Sequence, residues 1–270
     1  MRIANPFYGA GIRLRQYRTL CSPTYNVLDL FSGIGGFSLG LERAGMKTVA
    51  FCEIDGFCRG VLGRHWPTTP LYDDIRQLSA RRLHHDRIPS IDLICGGYPC
   101  QPFSIAGHQR GVQDPRHLWP EMHRLIREIR PRWVICENVA GHVELGLDAV
   151  LTDLADAGYT ATPFIIPACA IGAPHRRDRV WIVAHAAGVR QSGPLAPAKQ
   201  QDPQWRQPIA QLPSAPLQWD LPAPFTVGSD DGIPCRMDRA HALGNAVVPQ
   251  IPEIIGRAIL AYERGWIRRN

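Results

Sequence analysis

Short apolar runs alternate with amphipathic stretches from Tyr25 to Ala186, and this alternation constrains the fold more than any other feature. "YNVLDLF" (25–31) reads as a strand, and "SGIGGFSLGLERAG" (32–45) as a glycine-rich turn running into a helix that stops near Gly45. "KTVAFCEID" and "GFCRGVLGRHW" repeat the strand–helix pair, "IDLICGG" is a further strand, and "LWPEMHRLIREIRP" is an amphipathic helix ended by Pro131. "RWVICENV", "TATPFIIPA" and "RVWIVAHA" read as strands, with the helix "DAVLTDLADAGY" between the first two. Strands that take turns with helices predict an α/β fold, a mostly parallel sheet with helices on both faces.

Outside that region the texture changes. Residues 1–24 carry Arg2, Arg13, Arg15 and Arg18 with no acid and read as a basic N-terminal arm. Residues 191–235 hold nine prolines and seven glutamines, which cannot continue a sheet, so a loop-rich insertion is expected there. Order returns with "HALGNAVVPQIPEIIGRAILAYERG", a turn and then a helix. The expected division is therefore 1–24, a core domain from 25–185 and 241–270, and an insertion at 186–240.

The formal net charge is +6, and only Lys47 and Lys199 among the 30 basic residues are lysines. Arginine forks match phosphate and base edges, so the balance favours a polyanionic partner. No apolar run has membrane-spanning length and no signal-like segment opens the chain, which gives a cytoplasmic expectation and no membrane partner. The eight cysteines are scattered without any C-x-x-C pair, so no metal site is expected.

Several residues stand where open α/β sheets place ligands, at the carboxyl ends of strands. The turn "DLFSGIGG" (29–36) lets backbone approach a ligand closely. Glu53 ends the second strand, a place suited to ribose hydroxyls, and Asp74 in "YDDI" is a candidate for an adenine amino group. Together they point to a nucleoside cofactor. Glu137 follows the apolar run "RWVIC", which predicts partial burial and a raised pKa. Arg177 and Arg179 stand two apart before a strand, so an extended backbone would put both on one side. Cys100, in "GGYPCQPFS", follows a strand end; its position alone fits either a small core residue or a reactive thiol.

Taken in order, these segments resemble the cytosine-C5 DNA methyltransferases. "DLFSGIGG" is similar to that family's first motif, "CEID" and "DDI" to the second and third, and "GGYPCQPFS" to its nucleophile motif. "ENV" (137–139) matches the glutamate motif, "HRRDR" (175–179) resembles Gln-x-Arg-x-Arg, and "GNAVVP" (244–249) the last motif. The resemblance covers Tyr25 to about His185 and His241 to about Leu260.

It implies a Rossmann-like sheet with a small target-recognition insertion, S-adenosyl-L-methionine as methyl donor, and double-stranded DNA as substrate. Cys100 would be the nucleophile that adds to C6 of a flipped cytosine, with Glu137, Arg177 and Arg179 completing the catalytic set. Phe31, Gly33, Gly35, Glu53, Ile54, Asp74, Pro99, Leu118 and Asn245 match cofactor-contacting positions. The resemblance further implies a chain acting as a monomer on DNA, and a cognate restriction endonuclease as the partner of a restriction–modification pair.

Ile54 departs from the family pattern, standing where many members place an aromatic residue, and His175 stands where glutamine is usual. The recognition region is also short, from Ala186 to Ala240, with Arg190, Gln204, Arg206, Gln207 and Arg236 suited to base edges and Trp205 and Trp219 to anchoring. The competing readings are an RNA cytosine methyltransferase acting on transfer RNA, a non-catalytic DNA-binding relative, and a thiol redox protein. The last would need a second cysteine near Cys100, and only Cys95 is offered.

Overall fold

The computed structural model describes residues 25–99, 118–173, 176–186, 206–210 and 242–264. The N-terminal arm, Cys100, His175 and most of 186–240 lie outside the described residues. The strands are β1 (Asn26–Leu30), β2 (Lys47–Cys52), β3 (Leu71–Tyr72), β4 (Leu93–Gly96), β5 (Trp133–Val139), β6 (Tyr159–Pro167) and β7 (Asp178–Ala186). The helices are α1 (Gly36–Ala44), α2 (Gly56–His65), α3 (Ala80–His85), α4 (Trp119–Ile129), α5 (His142–Leu145), α6 (Leu147–Asp156), α7 (Gln207–Ala210) and α8 (Gln250–Glu263).

The seven strands form one sheet in the order β3-β2-β1-β4-β5-β7-β6. β3, β2, β1, β4 and β5 are parallel neighbours, whereas β7 runs antiparallel to both β5 and β6. The expected α/β sheet is therefore present, with an antiparallel end. The chain builds outward through β2 and β3 and then returns to the other side of β1. That reversal opens a crevice between the carboxyl ends of β1 and β4, where sheets of this type receive ligands.

Period-two alternation sorts the strand residues into two buried layers. On one face Leu28, Leu30, Ile94, Val134 and Ile182 pack with Met122, Leu125 and Ile126 of α4 and with Val150 and Leu154 of α6. On the other, Val27, Leu93, Ile135 and Val183 pack with Phe37 and Leu41 of α1 and with Ile251, Ile255 and Ile259 of α8. Asp29 is buried at the end of β1, and its Oδ2 accepts the Ser38 hydroxyl of α1 at 2.7 Å. Burial pushes its carboxyl up to about 7. The strand before the glycine turn and the helix after it are thus tied together beneath the turn.

Helix α8 lies against α1 because α1 carries glycines on the contact line. A Cβ on Gly40 would stand 2.1 Å from the Pro249 carbonyl, and one on Gly36 2.7 Å from that of Val247. Gly40→Ala is expected to destabilise the protein by about 2 kcal/mol, the cost of overpacking a close backbone contact. Urea denaturation reads this; an unchanged midpoint would contradict the close approach of the two helices.

Among the described residues no helix is long and apolar enough to cross a membrane.

Candidate active site

The turn after β1 is left-handed at Phe31 (φ 52°), Gly33 (φ 54°) and Gly35 (φ 88°). This brings the Gly33 N–H to the Glu53 carboxylate, which accepts from it at 2.7 Å through Oε2 and from the Asp55 N–H at 2.8 Å through Oε1. Glu53 is buried rather than solvated. It holds the glycine turn to the exit of β2, and each oxygen keeps further acceptor capacity. Asp55 in turn caps α2 by accepting from the Cys58 N–H at 2.8 Å.

Phe31, Gly33, Glu53, Ile54, Asp74, Pro99, Leu118 and Asn245 line one cavity of about 410 Å³, together with Glu137 and Arg179. Ten of the predicted site residues are therefore gathered into a single space. Asp74 reaches it already engaged: Arg76 donates to its carboxylate through Nε at 2.9 Å and Nη2 at 2.8 Å. Those bonds from Arg76 hold the Asp74 carboxyl below its ordinary value. Ile54 is largely exposed at the rim, with its apolar side chain available to a ligand.

Gly35 does not line the cavity. A Cβ there would stand 2.6 Å from the Trp66 ring, and the residue precedes α1 in a left-handed conformation. Its glycine is required by backbone geometry and by close packing on Trp66.

Across the cavity, β5 presents Glu137, 9% exposed, and β7 presents Arg179. Arg179 Nε lies 2.9 Å from Glu137 Oε1. Burial raises the Glu137 carboxyl to about 7 against the opposing pull of Arg179 and Arg177. Gly97 leaves room for this carboxylate, since a Cβ on it would be 3.1 Å from Glu137 Oε2. The glutamate is thus poised to carry or release a proton near neutral pH.

The period-two argument for the arginines needs correction. Arg177 precedes β7 and has φ 40°, so the backbone between the pair is not extended. Its Nη2 donates to the Gly244 carbonyl at 2.7 Å and to the Ala246 carbonyl at 2.8 Å, on either side of Asn245. Its charge still acts on Glu137, but the side chain is absent from the cavity lining. Arg177 therefore fastens the "GNAVVP" segment to the wall that carries Arg179. Sequence spacing gave no signal for this, because the partners are backbone carbonyls remote in the chain.

Three further side chains escaped the sequence reading. Tyr98, buried beside Pro99, has its hydroxyl 2.7 Å from Nε2 of buried His142. The Asn138 side-chain amide donates to the Tyr98 carbonyl at 3.0 Å.

The C-5 cytosine-specific DNA methylase family matches residues 25–227. The chain belongs to this family. It is 38% identical over 164 residues to the Type II methyltransferase M.HgiBI of Herpetosiphon aurantiacus, a match covering 59% of this chain and 37% of the relative. It is 33% identical over 179 residues to the Type II methyltransferase M.AquIA of Picosynechococcus, covering 60% of this chain and 72% of that one. Among solved structures it resembles a prophage-encoded E. coli protein described as a DNA modification methyltransferase. That match has a TM-score of 0.53 and 30% identity, over 60% of this chain and 47% of the other. The chain spans little more than a third of the first relative's length. For a family member, the cavity at the β1–β4 crevice becomes the candidate active site.

Proposed function

We propose that this C-5 cytosine methylase family member is a DNA (cytosine-5-)-methyltransferase that uses S-adenosyl-L-methionine. The observation that carries the reading is the shared cavity. A nucleoside-sized wall of Phe31, Gly33, Glu53, Ile54 and Asp74 faces the Glu137–Arg179 pair in one space. A methyl donor and a pyrimidine would meet there.

The residues fit such a donor. Glu53 supplies acceptor capacity for ribose hydroxyls, Asp74 for an adenine amino group, and Ile54 and Leu118 apolar contact. Pro99 and Asn245 line the same cavity. When bound, the donor supplies an electrophilic methyl group on a sulfonium.

The cytosine must leave the duplex before its C6 can be reached. In the proposed reaction the Cys100 thiolate forms a bond to C6 and breaks the ring conjugation, while the Glu137 carboxyl gives its proton to N3. C5 becomes nucleophilic and takes the methyl group. Loss of the C5 proton to a base then expels the thiolate, N3 returns its proton to the Glu137 carboxylate, and the aromatic ring is restored. Arg179 would orient the base and, with Glu137, offset developing negative charge. Arg177 would contribute through its charge and by holding the Asn245 segment.

Base-edge contacts would come from 186–240, the segment not committed to chemistry. By likeness to the bacterial Type II relatives, the proposed setting is the bacterial cytoplasm, with a monomer working on one duplex. A Type II setting would add a restriction endonuclease reading the same site.

Bisulfite sequencing of DNA from cells expressing the chain tests the proposal. The expected result is cytosine protected at one short sequence. Unprotected DNA, with label from the methyl donor passing to transfer RNA in vitro, would replace DNA by RNA as substrate; label passing to neither would remove the enzyme reading.

A further inference from the structure

Tyr98 is fixed from three directions immediately before the Pro99–Cys100 segment. Its hydroxyl meets His142 Nε2 at 2.7 Å, its carbonyl accepts the Asn138 amide at 3.0 Å, and its ring lies 5.0 Å from that of Trp119. Trp119 is itself tied down, donating through Nε1 to Asp153 at 2.7 Å. His142 is only 4% exposed and occupies the first turn of α5. It is confined from behind, because a Cβ on Gly146 would stand 2.8 Å from its Cε1. Asn138 and Glu137 are adjacent in β5, so the same strand that presents the glutamate also grips the Tyr98 backbone.

We infer that His142 is a positioning residue: through its buried hydrogen bond to Tyr98 it sets the path by which the chain leaves β4 and brings Pro99, the residue before Cys100, to the cavity. The inference rests on the methyltransferase reading for its kinetic consequence, though not for its structural one. Hydrophobic packing alone would hold Tyr98 in place, but a ring in an apolar slot can slide. A buried hydrogen bond at its tip fixes the remaining degree of freedom, and leaving the hydroxyl unpaired there is costly. His142 is absent from the cavity lining, whereas Tyr98 belongs to it beside Pro99 and sends its hydroxyl to His142. Their effect is exerted on the backbone that leads to the thiol.

The test uses the full chain in five forms: wild type, Tyr98→Phe, His142→Phe, His142→Gln and the double variant Tyr98→Phe/His142→Phe. Three quantities are read: kcat on duplex DNA, the Kd for S-adenosylmethionine by calorimetry, and the rate of Cys100 alkylation by iodoacetamide from peptide mass spectra. His142→Phe is expected to lower kcat about tenfold, the scale of one buried hydrogen bond, with methyl-donor affinity nearly unchanged. His142→Gln keeps a polar tip within reach of the hydroxyl and should recover most of that loss. The double variant should be no slower than the worse single one, because both changes remove the same bond. Alkylation of Cys100 should change in the same variants, while the buried Cys52, Cys95 and Cys136 keep their wild-type rates. Losses in kcat that multiply, a fall in methyl-donor affinity in step with kcat, or a glutamine variant as poor as phenylalanine would overturn the inference. If the His142 variants do not fold, Tyr98→Phe, which deletes one oxygen, carries the decision: unchanged kcat and unchanged Cys100 reactivity would refute it. If wild type methylates nothing, the functional reading fails by itself, and the alkylation rates still decide whether the pair positions the thiol.

Discussion

Cys100→Ser is expected to abolish methyl transfer to duplex DNA while S-adenosylmethionine still binds with nearly its original affinity. This is the largest effect expected for the protein. A hydroxyl at this position is a far poorer nucleophile than a thiolate, and removal of a covalent catalyst commonly costs about 10⁴-fold or more. Binding survives because the thiol is proposed to attack the base, not the methyl donor. Duplex DNA carrying 5-fluorocytosine should become covalently attached to wild type and not to the serine variant, since fluorine cannot leave as a proton does. Gel shift under denaturing conditions reads the adduct. Turnover at the wild-type rate by Cys100→Ser would end the assignment.

Glu137→Gln is expected to slow methyl transfer by about 10²-fold or more, the range for loss of a general acid. The pH profile gives a second, independent reading. The Glu137 carboxyl is raised by burial to about 7, so the proton needed at N3 is present below that value and lost above it. Wild-type turnover should fall as pH rises through about 7, and the glutamine variant should lack this limb. Stability follows pH in the same direction. A carboxyl whose folded pKa is raised contributes stability that is complete below its unfolded value and is lost as pH rises to the folded one. The variant, with no charge to bury, should therefore melt higher than wild type at pH 8 and close to it at pH 4. A glutamine enzyme that keeps its rate but loses the methyl donor would reassign Glu137 to the cofactor wall.

Much of this is legible in the sequence itself. β1, β2, β4, β5 and β7 are dense apolar runs with few alternatives to a buried strand, and their ends carry the residues that reach the cavity. Glu53 and Glu137 stood out because acids rarely follow such runs. β3, with two residues, is too short to show a period, and α3 and α5 are too short to show a helical one. Gly35 was readable as a special glycine but not for its reason, since Trp66 reaches it only after α2 has folded back. Arg177 looked like half of a matched pair until its guanidinium met the carbonyls of Gly244 and Ala246. The Tyr98–His142 bond joins residues on separate elements, and neither side chain alone announces the other. What sequence hides here is long-range pairing, which periodicity cannot see.

The seat of α8 against α1 has a consequence for biosynthesis. Gly36 and Gly40 emerge from the ribosome about two hundred residues before their partners Val247 and Pro249. Until then the apolar face of α1 around Phe37 and Leu41 has no cover from Ile251, Ile255 and Ile259. Contacts between such distant segments form late, because a long loop must close before they are rewarded. A nascent chain halted at Ala240 would carry the strands but expose that face to chaperones and to other chains. The part of the cavity wall that Asn245, Ala246 and Val247 contribute is therefore completed only when this distant segment has been made, so a chain halted before it has no finished cavity.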